Sequence, residues 1–172
     1  MKILGICGSL QQRSSNAALI ELAVKHAPHG VRVEASDLLR ALPHFDSDLD
    51  TADAPPAVGA LRRAVSEADA LLIACPEYGH SLPGALKNAI DWLIGSGELE
   101  CKLVAITASV PGPPERGQRG LDALAGTLAA VSAEIVGGQP LVRGPDFERS
   151  VVELLEALVA RAQKRAHSVE DE

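Results

Sequence analysis

Residues 70–93 read ALLIACPEYGHSLPGALKNAIDWL: an unbroken apolar run, a connection bearing Pro and Gly, then Leu86, Ala89, Ile90 and Leu93 recurring at i, i+3, i+4 and i+7. The run from Ala70 to Cys75 has no polar face, so it predicts a strand covered on both sides, as in a parallel sheet. The spacing after it predicts an amphipathic helix. Pro83 falls in that helix's first turn, where a missing N–H leaves no bond unmade. The unit is strand, loop, helix.

The same unit recurs on either side. Towards the N-terminus, Lys2 to Cys7 is a short apolar run ending at Gly8, and Leu19, Leu22 and Ala23 carry helical spacing after Asn16. Pro28 and Gly30 end that helix. Val31 to Ala35, alternating with Arg32 and Glu34, predicts a strand near a sheet edge. Ser36 to Pro56, with three prolines and several Asp residues, reads as a long surface loop of the functional or partner-contacting kind, and Ala57 to Ala68 as a helix. Towards the C-terminus come a strand at Lys102–Ala108, a loop at Ser109–Gly120, a helix at Leu121–Val131, a short strand near Ala133–Val136 and a last helix carrying Val151, Leu155 and Leu158. Residues 167–172 are expected to be a frayed, disordered tail beyond a single domain at 1–166. Five strands alternating with five helices predict an α/β fold, a parallel sheet with helices on both faces.

Composition narrows the partners. The chain has 172 residues and a formal charge of −7, which excludes a basic surface for nucleic acid or an anionic membrane. No apolar stretch approaches the length of a membrane span. Cys7, Cys75 and Cys101 are odd in number and lack C-x-x-C spacing, which predicts neither a disulfide framework nor a zinc site and fits a reducing cytoplasm.

In parallel sheets ligands bind beyond the strand C-termini, where strand order reverses. Three loops lie there. The first, GSLQQRSSN (8–16), crowds Ser9, Ser14, Ser15 and Asn16 at a helix N-terminus, a cradle for a phosphate; a plain N-cap at Ser14 or Ser15 is the alternative. It matches neither G-x-G-x-x-G nor G-x-x-x-x-G-K-[ST], against dinucleotide and P-loop readings. Arg13 could face the same anion or be a solvated charge. In the second, Pro76 to Leu82, Gly79 and the flanking prolines make a rigid path whose backbone suits the edge of a planar heterocycle. Glu77 is an acid–base candidate or a tie to neighbouring backbone, and His80 a loop histidine or a proton donor. Lys87 and Asp91 are spaced for a weak i,i+4 pair on a solvated face, and Trp92 reads as packing in preference to a cofactor stack. The third loop, Ser109 to Gly120, is by itself a flexible connection; beside the other two it can close the polar end or admit a second substrate.

The segments GSLQQRSSNAAL and PEYGHSLPGALKNAIDWL, with LPHFDSDLD (42–50) and GQRG (117–120) in order, resemble the NAD(P)H-dependent FMN reductases, a flavodoxin-like family with chromate, azo-dye and quinone reductases among its members. The resemblance covers most of the chain. It implies a flavodoxin-like three-layer sandwich with strand order 2-1-3-4-5 and FMN held noncovalently at the switch point. Ser9, Gln11, Ser14 and Asn16 would surround the phosphate, Pro76, Glu77, Tyr78 and Gly79 would border the isoalloxazine, and Ser109 would lie near its polar edge. Gln11 stands where the family commonly has arginine, which leaves Arg13 as the charge partner; Gly79 stands where asparagine is common, removing a side-chain contact. The implied activity is hydride transfer from NAD(P)H to FMN and on to a quinone, azo compound, metal oxyanion or free flavin, with no catalytic side chain or metal required. A cytoplasmic homodimer or homotetramer is also implied, with Phe45 and Leu49 as contacts. Competing readings are a flavodoxin-type electron carrier, an apo scaffold, and a serine hydrolase using Ser81, Asp146 and His167, whose nucleophile-elbow pattern is broken by Pro83.

Overall fold

The apolar run at 70–75 becomes the central strand. In the computed structural model, which describes residues 1–170 and side chains through Ala166, all five residues of β3 (Ala70–Ala74) are buried. β1 (Lys2–Cys7) and β4 (Leu103–Val110) flank it, and β2 (Arg32–Ser36) and β5 (Glu134–Val142) are the edges. The order is β2-β1-β3-β4-β5 and every pairing is parallel. The reversal falls between β1 and β3, which makes their C-terminal ends the ligand-binding edge.

Alternation along β3 builds the three layers, because successive side chains point to opposite faces. Leu71 and Ile73 join a core with α2 (Pro56–Ser66), α3 (Gly84–Ile94) and α4 (Glu115–Ala129). Leu72 and Ala74 join the other core, with α1 (Ser15–Lys25) and α5 (Phe147–Glu170). The flavodoxin-like sandwich is thus present as expected. Among the described residues no helix is long and apolar enough to cross a membrane. Of the tail expected over 167–172, the backbone of 167–170 continues α5; its side chains and residues 171–172 lie outside the described residues.

Several boundaries differ from the sequence reading. Ser109 lies inside β4 rather than in a loop, because the ladder to β5 continues through Ala108↔Pro140, Ser109↔Leu141 and Val110↔Val142. β5 is nine residues long instead of a short strand; Gly137, Gly138 and Pro140 disguise it, and the register shifts at a bulge beside Ile106 and Thr107. α4 begins at Glu115, kinked at Arg116, so the expected third loop shrinks to residues 111–114. Pro83 sits at the N-cap of α3 with extended backbone, one residue before the helix. The Ser36–Pro56 connection contains two short 3-10 turns, Leu38–Ala41 and Ser47–Leu49, and it is pinned to α3. Trp92 Nε1 and Asn88 Nδ2 donate to the Pro43 carbonyl at 3.0 and 2.8 Å. Phe45 meets the Trp92 ring edge-on at 5.1 Å.

Candidate active site

The loop after β1 turns at Gly8, whose N–H donates to the Ala74 carbonyl at 2.8 Å, and reaches α1 through its N-cap. There Ser14 Oγ accepts the Asn16 N–H at 3.1 Å, so the cap reading of Ser14 holds. Asn16 is buried, and its Oδ1 accepts the Ser109 N–H at 2.9 Å. Ser15 Oγ donates to the Ser109 carbonyl at 3.4 Å. The positive end of α1 is thereby stitched to the end of β4. Ser109 Oγ is buried beside this junction without a hydrogen-bond partner, an orphan that calls for a ligand atom or a water.

Ser9 leads to the second loop. Its Oγ lies 3.0 Å from Tyr78 Oη and accepts the Gln11 N–H at 3.2 Å. Ser9, Gln11, Ser14, Asn16, Tyr78 and Ser109 therefore gather at one edge of the sheet. Gln11 enters through its backbone while its side chain is exposed, and Arg13 is also exposed. Beyond Pro76, Tyr78 and Ser81 exchange N–H to carbonyl bonds of 3.0 and 3.1 Å. The two residues between them, Gly79 and His80, have φ of +57° and +62°, which defines a type I′ turn and explains a glycine at 79. Tyr78 is half exposed at this turn.

Glu77 is tied down from two sides. Its Oε1 lies 3.0 Å from His80 Nδ1, and that bond holds its carboxyl below the usual carboxylate range, against the opposing effect of burial. The N–H groups of Gly120 and Arg119 act in the same direction as His80, although no hydrogen bond of good geometry reaches Oε2. The approach of α4 is close enough that a Cβ at Gly120 would lie 3.0 Å from Glu77 Cα. Of the two roles open to Glu77, the geometry favours an ionised tie between turn and helix.

Three clefts open along this edge. One of about 560 Å³ runs between the turn and α4, lined by Glu77, His80, Arg116, Arg119 and Gln139 among others. A smaller one of about 160 Å³ lies beneath residues 9–11 and is walled by Cys7, Leu39 and Arg40; the Arg40 guanidinium donates to the Leu10 carbonyl. A third, about 430 Å³, meets the N-terminus of α1 and is lined by Arg13, Ser14, Ser15, Arg143 and Phe147. A larger cleft of about 610 Å³ sits at the opposite end of the strands, near Met1, Asp69 and Lys102, away from these loops. Sequence spacing does not single out Arg40, Arg116, Arg119 or Arg143, because a surface arginine carries no periodic signal and only folding brings these four to the loops.

The hydrolase reading finds little here: Ser81 is the exit residue of the turn, His80 is turned to Glu77, Asp146 pairs with Arg149 at 3.0 Å, and the His167 side chain lies outside the described residues. The donor set fits FMN instead, with an anion-accepting helix end, an orphaned hydroxyl at Ser109, and a rigid turn exposing backbone.

Comparison with known proteins agrees. A family model described as NADPH-dependent FMN reductase matches residues 1–144. The NAD(P)H-dependent FMN reductase PA1204 of Pseudomonas aeruginosa is 44% identical over 92 residues, covering 54% of this chain and 49% of the relative. A quinone reductase of Escherichia coli is 37% identical over 94 residues, covering 54% and 50%. The chain thus spans about half the length of the curated relatives it matches. Among solved structures, the flavoenzyme NAD(P)H:(acceptor) oxidoreductase FerB of Paracoccus denitrificans superposes with a TM-score of 0.82 at 26% identity, covering 95% of this chain and 97% of that one. With that family model matched across residues 1–144, the chain belongs to the NADPH-dependent FMN reductase family.

Proposed function

We propose that this protein is an NAD(P)H-dependent FMN oxidoreductase. The observation that carries the reading is the meeting of Ser9, Ser14, Asn16, Tyr78 and the orphaned Ser109 hydroxyl at the switch point of the sheet. Bound FMN would supply the chemistry, accepting a hydride from NAD(P)H and handing it to a quinone, azo compound, metal oxyanion or free flavin.

The chain's own residues bind and orient. Ser9, Ser14, Asn16 and the N-terminal N–H groups of α1 hold the phosphate, with the Gln11 backbone and Arg13 beside them. Pro76, Glu77, Tyr78 and Gly79 border the flavin ring, and Ser109 meets its polar portion. Glu77, kept ionised, fixes His80 through Nδ1. The protein acts in the cytoplasm as a homodimer or homotetramer through the surface around Phe45 and Leu49, which are 40% and 47% exposed.

The decisive experiment is the visible spectrum of the purified protein followed by anaerobic mixing with NADH or NADPH. A yellow protein that releases FMN and bleaches supports the reading. A yellow protein that does not bleach is an electron carrier, and one that takes up no added FMN overturns the cofactor assignment.

A further inference from the structure

The phosphate loop offers a neutral side chain at Gln11 while the whole chain carries a charge of −7, so a dianionic phosphate needs cations from elsewhere. Arg13 is one. A second arrives from the far edge of the sheet. β5 ends at Val142, and the next residue, Arg143, donates its N–H to the Val110 carbonyl at 2.9 Å. Val110 follows Ser109, which holds Asn16 and Ser15 of α1. This ladder delivers the Arg143 side chain to the cleft that Arg13, Ser14 and Ser15 line at the start of α1. Neither arginine is in an ion pair among the described residues, where Arg149, Arg161 and Arg62 all have carboxylate partners. Glu21 is the one carboxylate lining the cleft, about 9 Å up the helix from Ser15 at 1.5 Å per residue.

We propose that Arg143 is a charge partner of the FMN phosphate, acting with Arg13 in place of the arginine that position 11 lacks. The assignment rests on the FMN reading above and adds a residue outside every loop that the sequence pattern singles out. Arg143 acts on the phosphate alone, since the flavin ring is bordered by residues 76–79.

The test compares FMN with riboflavin, which has the same ring and no phosphate. Flavin is stripped from the wild type and from Arg143→Ala, Arg143→Lys and Arg13→Ala, and binding of each flavin is followed by fluorescence quenching at low salt. Removing one charge-assisted contact is expected to weaken FMN binding about tenfold in Arg143→Ala while riboflavin affinity stays within about twofold, with partial recovery in Arg143→Lys. The exposed side chain and the retained Arg143 N–H bond leave folding intact, which circular dichroism verifies. An unchanged preference for FMN over riboflavin in Arg143→Ala overturns the proposal. A parallel loss of both flavins also overturns it, because Arg143 would then support the fold and not the phosphate. A wild type that binds neither flavin defeats the FMN reading itself, and is read from a different sample.

Discussion

Among single residues, Asn16 and Ser109 hold the start of α1 to the end of β4. Asn16 is 4% exposed, and its Oδ1 is the acceptor for the Ser109 N–H. Asn16→Ala removes that acceptor and leaves a buried donor unpaired, an expected loss of about 1–3 kcal/mol in urea unfolding, with weakened FMN binding. Ser14→Ala deletes the helix cap, with an expected loss of about 1 kcal/mol in urea unfolding, and is also expected to weaken FMN binding. Equal losses in the two variants would mean that the α1–β4 junction is not the tighter constraint. Glu77 sets a pH dependence. Its folded-state carboxyl titrates below the ordinary range because of His80, so the ionised form contributes stability above the unfolded value and loses it as pH falls through the folded one. The gap in urea midpoint between the wild type and Glu77→Gln should hold above the ordinary carboxylate range and close as pH falls through and below it. A gap that widens with acid would reverse the sign of the interaction. Cys75 is inert by the same logic, since burial pushes its thiol up to about 12, and only a thiolate reacts.

Between elements, the turn at 78–81 and the start of α4 face each other, and their glycines respond differently. A Cβ at Gly120 would lie 3.0 and 3.1 Å from Glu77 Cα and Cβ and 3.2 Å from the Pro76 carbonyl oxygen. Backbone cannot swing aside as a side-chain end can, so Gly120→Ala is expected to cost about 1–3 kcal/mol and to displace residues 76–77, which are proposed to border the flavin. Gly79 has open space where a Cβ would sit but φ of +57°, so Gly79→Leu carries backbone strain of about 1–2 kcal/mol without a clash. Thermal unfolding and FMN content separate them: Gly120→Ala should lose flavin affinity, whereas Gly79→Leu should keep it and slow reduction by NAD(P)H. Full turnover in Gly79→Leu would show that residues 76–79 do not border the reacting face.

For the molecule as a whole, donor and acceptor are expected to use one flavin face in turn. Aromatic residues are 2% of the chain, too few to cover both sides of a ring, and the proposed ring-bordering turn carries Gly79. A two-step cycle gives parallel steady-state lines when donor and acceptor are varied together. Intersecting lines would show both substrates bound at once. Light scattering at micromolar concentration should give a dimer or tetramer, and Leu49→Asp should shift it towards monomer by charging an exposed apolar surface. A fully active wild-type monomer would count against the assembly.

The order of amino acids dictates what is local. The unbroken run at 70–75 and the helical spacing of Leu86, Ala89, Ile90 and Leu93 impose a buried strand and an amphipathic helix, because burial on two faces or one leaves a periodic mark. The serines and Asn16 mark the start of α1 for the same reason, since capping is a contact between near neighbours. Folding in three dimensions settles the rest. Gly137, Gly138 and Pro140 conceal a nine-residue edge strand whose existence depends on pairing with β4, and that pairing draws Ser109 out of the expected loop into the sheet. Whether Glu77 is a free acid or a tie depends on His80 and on the close approach of Gly120 from α4. The arrival of Arg40 and Arg143 beside loops distant in sequence follows from strand order. Such contacts leave no periodicity, because they are made between segments whose separation along the chain is unrelated to their separation in space.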